Sequence, residues 1–126
     1  MPSCGLVSKA KRCMSREWRI YVSDMLACCD RVMAYTDGVS REAFDERGMV
    51  FDATVRNLEL LGEAANQLPD EIRAKAPDVE WRKLIGLRNV LIHSYFGVDE
   101  DILWDVVQNK VRPLKAALQA LESAGF

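Results

Sequence analysis

Apolar residues return every three or four positions through three long stretches of this chain, and nowhere do they alternate between clusters of turn residues as strands require. A helix turns by about 100° per residue, so that spacing lays a continuous apolar stripe along one face and demands other helices to cover it. The first stretch runs from Ser15 and carries Trp18, Tyr21, Val22, Met25, Leu26, Cys29, Val32 and Met33 up to the Asp37-Gly38 stop. The second follows Gly48, with Phe51, Val55, Leu58, Leu61, Ala65 and Leu68 on one face, and closes before Pro69. The third shows Leu103, Val107, Val111, Leu114, Leu118 and Leu121, with Pro113 inside it, where a missing N–H and a ring clash predict a kink. The expected fold is therefore all-α, an antiparallel bundle of four to five main helices.

Shorter elements are marked by their punctuation. Ser40 reads as a plain N-cap, since Ala43 and not Glu follows three residues later, and Arg41 to Asp45 has room for little more than a turn. Pro69 suits the start of a short helix through Ala74, and Pro77 breaks the chain again. Asp78 is expected to cap a helix from Val79 to about Ser94, and Gly97 ends it. Asp99, Glu100 and Asp101 then place negative charge at the start of the last helix, where the helix dipole favours it. Gly62 lies inside the second long helix, where it costs about 1 kcal/mol relative to Ala; close approach of another backbone is the expected return. Residues 1–14 hold Pro, Gly and Ser early and are expected to form a loose arm ahead of a single domain over residues 15–126, with Met14 a candidate start.

A chain of 126 residues can bury a core without disulfides or a structural metal, and its 49% hydrophobic and 29% charged content is that of a globular domain. Of the four cysteines (Cys4, Cys13, Cys28, Cys29), two are neighbours in a helical pattern, where vicinal thiols pair poorly; buried, reduced thiols are expected. No apolar run is long enough to span a membrane, and a cytoplasmic location is expected. A net charge of −2 and a pI near 5.4 exclude a general polyanion binder, so any RNA binding must be local.

The stretch RNVLIHSYF, residues 88–96, concentrates the reactive side chains. On one continuous helix, with Leu84 at zero, Leu87 and Leu91 fall at about 300° and 340° and form a core stripe, while Ile85 and Ile92 fall at about 100° and 80° as a second apolar face. Such a helix needs two packing partners, either another helix of this chain or a second protomer across a two-fold axis. Arg88 and Tyr95 fall between those faces, and His93 lies about 140° from Arg88, beside Asn89. The two reach one target only if the chain turns near His93 or if two copies face each other.

These residue types support RNA cleavage without a metal: His as general acid or base on the 2′-hydroxyl or the leaving oxygen, Arg stabilising charge on the phosphate, Tyr or Asn holding the phosphate. No cofactor is expected. The single His and the Cys spacings of 9, 15 and 1 match no zinc pattern, and phosphate loops and nucleophile elbows are absent. Taken alone, a His near a helix end is more often a surface or capping residue than a catalyst, Arg88 is usually an ion-pair partner and Tyr95 a core aromatic. A four-helix interaction protein without a nucleic-acid role also fits the bundle.

The string Arg88-Asn89-Val90-Leu91-Ile92-His93-Ser94-Tyr95 resembles the signature of HEPN domains, and a Tyr two places after the His resembles the HepT branch. Arg56-Asn57-Leu58-Glu59 with Leu61-Gly62-Glu63-Ala64, and Trp81-Arg82-Lys83-Leu84-Ile85-Gly86-Leu87, resemble two further blocks of HepT-like proteins, so the likeness spans about Ser15 to Leu121. The resemblance implies an RNase toxin acting as a homodimer, with Arg88 and His93 of both subunits catalytic and Asn89 and Tyr95 supporting. It further implies a cognate MntA-like nucleotidyltransferase antitoxin that attaches AMP to Tyr95, adding charge and bulk beside Arg88. Glu59 and Glu63 match the second block, with a supporting role or a helix-surface ion pair equally open. The alternative within the family is a non-catalytic HEPN module that binds nucleotide or RNA and scaffolds a nucleotidyltransferase. A two-fold doubling of Arg88, with Arg82 and Lys83 nearby, would gather a basic cleft on an acidic particle.

Overall fold

A computed structural model describes residues 7–46, 48–94 and 100–124, of which 7–17, 92–94 and 100 are described as backbone only. Helices make up nearly all of it, and among the described residues there is no strand. In chain order these are α1 (Val7–Thr36), α2 (Arg41–Asp45), α3 (Met49–Gln67), α4 (Asp70–Arg73), α5 (Trp81–Ile85), α6 (Leu87–Ser94), α7 (Glu100–Asp105), a π-helical turn (Val106–Lys110) and α8 (Val111–Ser123). The result is the all-α bundle expected from the apolar period.

The long amphipathic helices carry the core. α1 packs along both α3 and α8, and α3 turns its far side to α5 and α6. Every apolar position assigned to the second and third stripes is buried: Phe51, Val55, Leu58, Leu61, Ala65 and Leu68 on α3, and Leu103, Val107, Val111, Leu114, Leu118 and Leu121 toward the C-terminus. On α1 the buried set is Trp18, Val22, Met25, Cys28, Cys29 and Val32, with Tyr21, Leu26 and Met33 at its margins. Both thiols are free, and burial pushes Cys29 up to about 12. Among the described residues, no helix is long and apolar enough to cross a membrane.

Helix ends follow local chemistry, with some departures from expectation. The helical backbone of α1 is described from Val7, ahead of Ser15. Ser40 caps α2 by accepting the Ala43 N–H at 3.1 Å, and the segment it starts is one full helical turn. Phe44 of that turn stacks in tilted geometry on Phe51 of α3 and Trp104 of α7, with ring centroids 5.2 and 5.3 Å apart. Arg41 reinforces the same junction by pairing with Asp45 and Asp101. Near Pro113 the last helix departs from α geometry in the π turn, Val106–Lys110, which directly precedes α8. A Pro cannot donate and crowds the carbonyl four residues back, here Asn109, so the wider turn lies where the clash would fall.

Candidate active site

The segment expected to form one helix over Val79–Ser94 is two, α5 and α6, divided at Gly86. Gly86 ends α5 by donating its N–H to the Arg82 carbonyl at 2.9 Å, and Asn89 N–H then returns to the Gly86 carbonyl at 3.1 Å to open α6. Asp78 does not cap α5. Glu80 occupies that position without a side-chain cap bond, and the start of α5 is fixed by Trp81, whose indole N–H donates to the Arg73 and Ala76 carbonyls, each at 3.0 Å. The helix is interrupted at Gly86, yet the expected core stripe holds across it, with Leu87 and Leu91 buried and Leu84 partly buried against the core.

What brings α5 so near the bundle is Gly62. A Cβ built there would meet the Leu84 carbonyl oxygen at 3.1 Å and that of Ile85 at 3.9 Å, so the α3 backbone is in direct apposition to the last turn of α5. This is the close approach that an interior helix Gly predicts. From that anchor α6 begins immediately, with Leu87 and Leu91 buried against the core at 4% and 1% exposure.

Arg88 and Asn89 lie on the outer side of α6, both exposed. Among the described residues the Arg88 guanidinium has no ion-pair partner, so it is available to an anionic ligand. His93 belongs to the last turn of α6, five residues on, and its Cα lies about 140° from that of Arg88 around the helix axis. The His93 side chain and the whole of Tyr95 lie outside the described residues. Glu59 is half-buried and Glu63 exposed on α3. Glu63 lines an open groove of about 580 Å³ between α1 and α3 together with Tyr21, Asp24, Arg31, Leu60 and Gln67. No ion pair among the described residues brings either glutamate to Arg88.

Two features of this region escaped sequence reasoning. One is the groove itself, where Arg31 donates to Asn57 Oδ1 at 3.5 Å. The other is Glu80, which faces Lys83 at 3.0 Å and Lys110 of the π turn at 3.8 Å; the two ammoniums hold its carboxyl below the usual range. Among the described residues, no group of three or more His, Cys, Asp or Glu side chains is placed to hold a metal ion.

The fold and the RNVLIHSYF segment together define a HEPN-type helical domain. Residues 25–121 match the family described as Ribonuclease HepT-like, and the chain belongs to that family. Among its relatives, a protein of Methanocaldococcus jannaschii named as a candidate RNase is 34% identical over 104 residues, covering 82% of this chain and 95% of its own length. A second protein named as a candidate RNase, from Caldanaerobacter subterraneus, is 34% identical over 103 residues, covering 82% of this chain and 92% of its own. The protein named Probable ribonuclease HepT from Thermococcus cleftensis is 31% identical over 108 residues, covering 86% and 98%. No solved structure matches the chain significantly.

Proposed function

We propose that this protein is a metal-independent endoribonuclease and the toxin of a toxin–antitoxin pair, acting in the cytoplasm as a homodimer. The observation that carries the reading is the exposed Arg88 at the start of α6, without an ion-pair partner among the described residues and about one turn and a half before His93 on the same short helix, in a chain of the HepT-like family. A cation held at a helix surface without a carboxylate partner can stabilise the charge that builds on a phosphate under attack. Imidazole, titrating near neutrality, can move the protons.

In the step we envisage, His93 takes the proton of a ribose 2′-hydroxyl as the 2′-oxygen bonds to the adjacent phosphorus. The bond from phosphorus to the 5′-oxygen then breaks, and that oxygen takes the proton from the His93 imidazolium, leaving a 2′,3′-cyclic phosphate, a free 5′-hydroxyl and a neutral imidazole. Arg88 neutralises the phosphoryl oxygens through the transition state, and Asn89, its exposed neighbour, donates a supporting hydrogen bond. The angular separation of Arg88 from His93 on α6 favours a site completed by a second copy, so that the Arg88 of one subunit works near the His93 of the other. Restraint of such an enzyme follows if a cognate MntA-like nucleotidyltransferase directs the Tyr95 hydroxyl onto the α-phosphorus of ATP, releasing pyrophosphate and leaving AMP beside the Arg88 guanidinium.

Induced expression of the wild type in a bacterial host, without the antitoxin, is expected to arrest growth and degrade RNA, whereas His93→Ala does neither. Equal arrest by both would remove His93 from the chemistry. The second reading, a non-catalytic scaffold for a nucleotidyltransferase, would then be favoured by the same exposed helix surface.

A further inference from the structure

Acidic residues outnumber basic ones, 19 to 17, yet residues 81–98 and 106–121 contain six Lys and Arg and not one Asp or Glu. The first stretch holds Arg82, Lys83 and Arg88, and the second Lys110, Arg112 and Lys115. They are separated by DEDILWD, residues 99–105, so nothing in the linear order joins them. The fold does. Glu80 lies within ion-pair distance of both Lys83, at 3.0 Å, and Lys110, at 3.8 Å, so one cation from each acid-free stretch meets at a single carboxylate.

Of the six cations, Lys115 is committed elsewhere, paired with Asp30 of α1 at 2.7 Å. Arg82 and Arg112 are exposed and, among the described residues, without an ion-pair partner. Lys83 and Lys110 keep their side chains 79% and 55% exposed while sharing one carboxylate. Surface pairs of this kind contribute little and yield readily to a competing anion. Such a surface, cationic on an otherwise acidic particle and continuing in sequence from α5 into α6, which carries Arg88, concentrates phosphate where the whole molecule would repel it.

We propose that Lys83 and Lys110, held together by Glu80 and flanked by Arg82 and Arg112, form a phosphate-binding track that carries the backbone of a single-stranded RNA to or from the Arg88 site. The inference rests on the ribonuclease reading for its direction, and on the Glu80 bridge for its location. Glu80 acts as a placeholder: it keeps the two ammoniums in register without RNA and is displaced from them when phosphate binds. The track makes no base contacts, so it raises affinity for any single strand equally and leaves base choice to the cleft.

The test is binding of the full-length protein to a fluorescent, 2′-O-methylated RNA oligonucleotide, which has no free 2′-hydroxyl to react, followed by anisotropy across a salt series. For single strands each phosphate contact contributes about 0.7 to the slope of log K against log salt. Lys83→Ala with Lys110→Ala is expected to lower that slope by about 1.4 and weaken binding at least tenfold at low salt. Glu80→Gln is expected to tighten binding several-fold, a gain that misfolding cannot produce. Glu42→Gln, the same charge change on exposed Glu42 of α2, is expected to have a much smaller effect. An unchanged slope in the double variant, or equal effects of Glu80→Gln and Glu42→Gln, overturns the track even if the protein cleaves RNA. The predicted slopes from a protein that cleaves nothing uphold the track and sink the ribonuclease reading. Failure of the wild type to bind at low salt removes both.

Discussion

Gly62→Ala tests whether the placement of the motif helix depends on a single missing side chain. At an unconstrained position inside a helix, Gly to Ala stabilises by about 1 kcal/mol. At Gly62 the new methyl meets the Leu84 carbonyl oxygen at 3.1 Å, closer than Cβ atoms are usually found to other atoms, and that oxygen belongs to backbone and cannot rotate away. Forcing an extra methyl into a packed contact costs about 1–3 kcal/mol, so the net change is a loss of roughly 1 kcal/mol, with α5 pushed outward by a few tenths of an ångström. The reference is a pair of variants at Arg56, an exposed position in the middle of α3. Whatever the arginine side chain does is lost equally from both, so the difference between Arg56→Ala and Arg56→Gly reports helix propensity alone and is expected to be about 1 kcal/mol in favour of Ala. All three variants are read by urea and thermal unfolding at fixed protein concentration, where the loss at Gly62 corresponds to a fall in Tm of roughly 3–5 °C for a chain of this size. If Gly62→Ala stabilises by as much as separates the two Arg56 variants, the α3–α5 contact is not tight and the argument from Gly62 to the position of Arg88 fails.

Two further outcomes concern the core. Thr54 is fully buried, and its hydroxyl has no hydrogen-bond partner among the described residues, so Thr54→Val is expected to stabilise by about 1 kcal/mol; a loss of that size in chemical unfolding would reveal a partner the fold supplies. Burial raises the Cys29 thiol from 9.0 to about 12, with Cys28 and Asp30 adding to the rise, so above pH 9 the unfolded chain ionises this thiol while the folded one keeps it protonated. Stability is therefore fully present below pH 9 and declines as pH climbs from 9 toward 12, by up to about 1.4 kcal/mol per pH unit, and Cys29→Ala should flatten that decline. An unaltered pH profile in the variant would place the titrating group elsewhere.

The long helices were legible because their signal is redundant. Six apolar positions on α3 and six toward the C-terminus each repeat the same phase, and every one is buried. Gly62 was legible for the opposite reason: a costly residue in a strong helix points to a specific contact, and the contact exists. Gly86 was misjudged. An isolated Gly lowers helix propensity without stating whether the chain continues, and the Trp81 indole bonds that fix α5 separately from α6 join residues whose pairing no periodicity encodes. At the site, Arg88 and Asn89 are exposed as a binding role needs, but the relation between Lys83 and Lys110 was invisible because Glu80 joins them across 27 residues of chain. Local pattern reports which face of a helix is apolar; it does not report which charged surfaces meet.

The central claim is most directly tested by incubating the purified full-length protein with a labelled single-stranded RNA in the presence of EDTA and resolving the products. The account predicts cleavage to fragments ending in 2′,3′-cyclic phosphate, prevented by a 2′-deoxy substitution at the cleaved nucleotide, and slowed about 10²–10³-fold in Arg88→Ala and about 10²–10⁴-fold in His93→Ala. Intact RNA with the wild type, or wild-type rates in both variants, would contradict it.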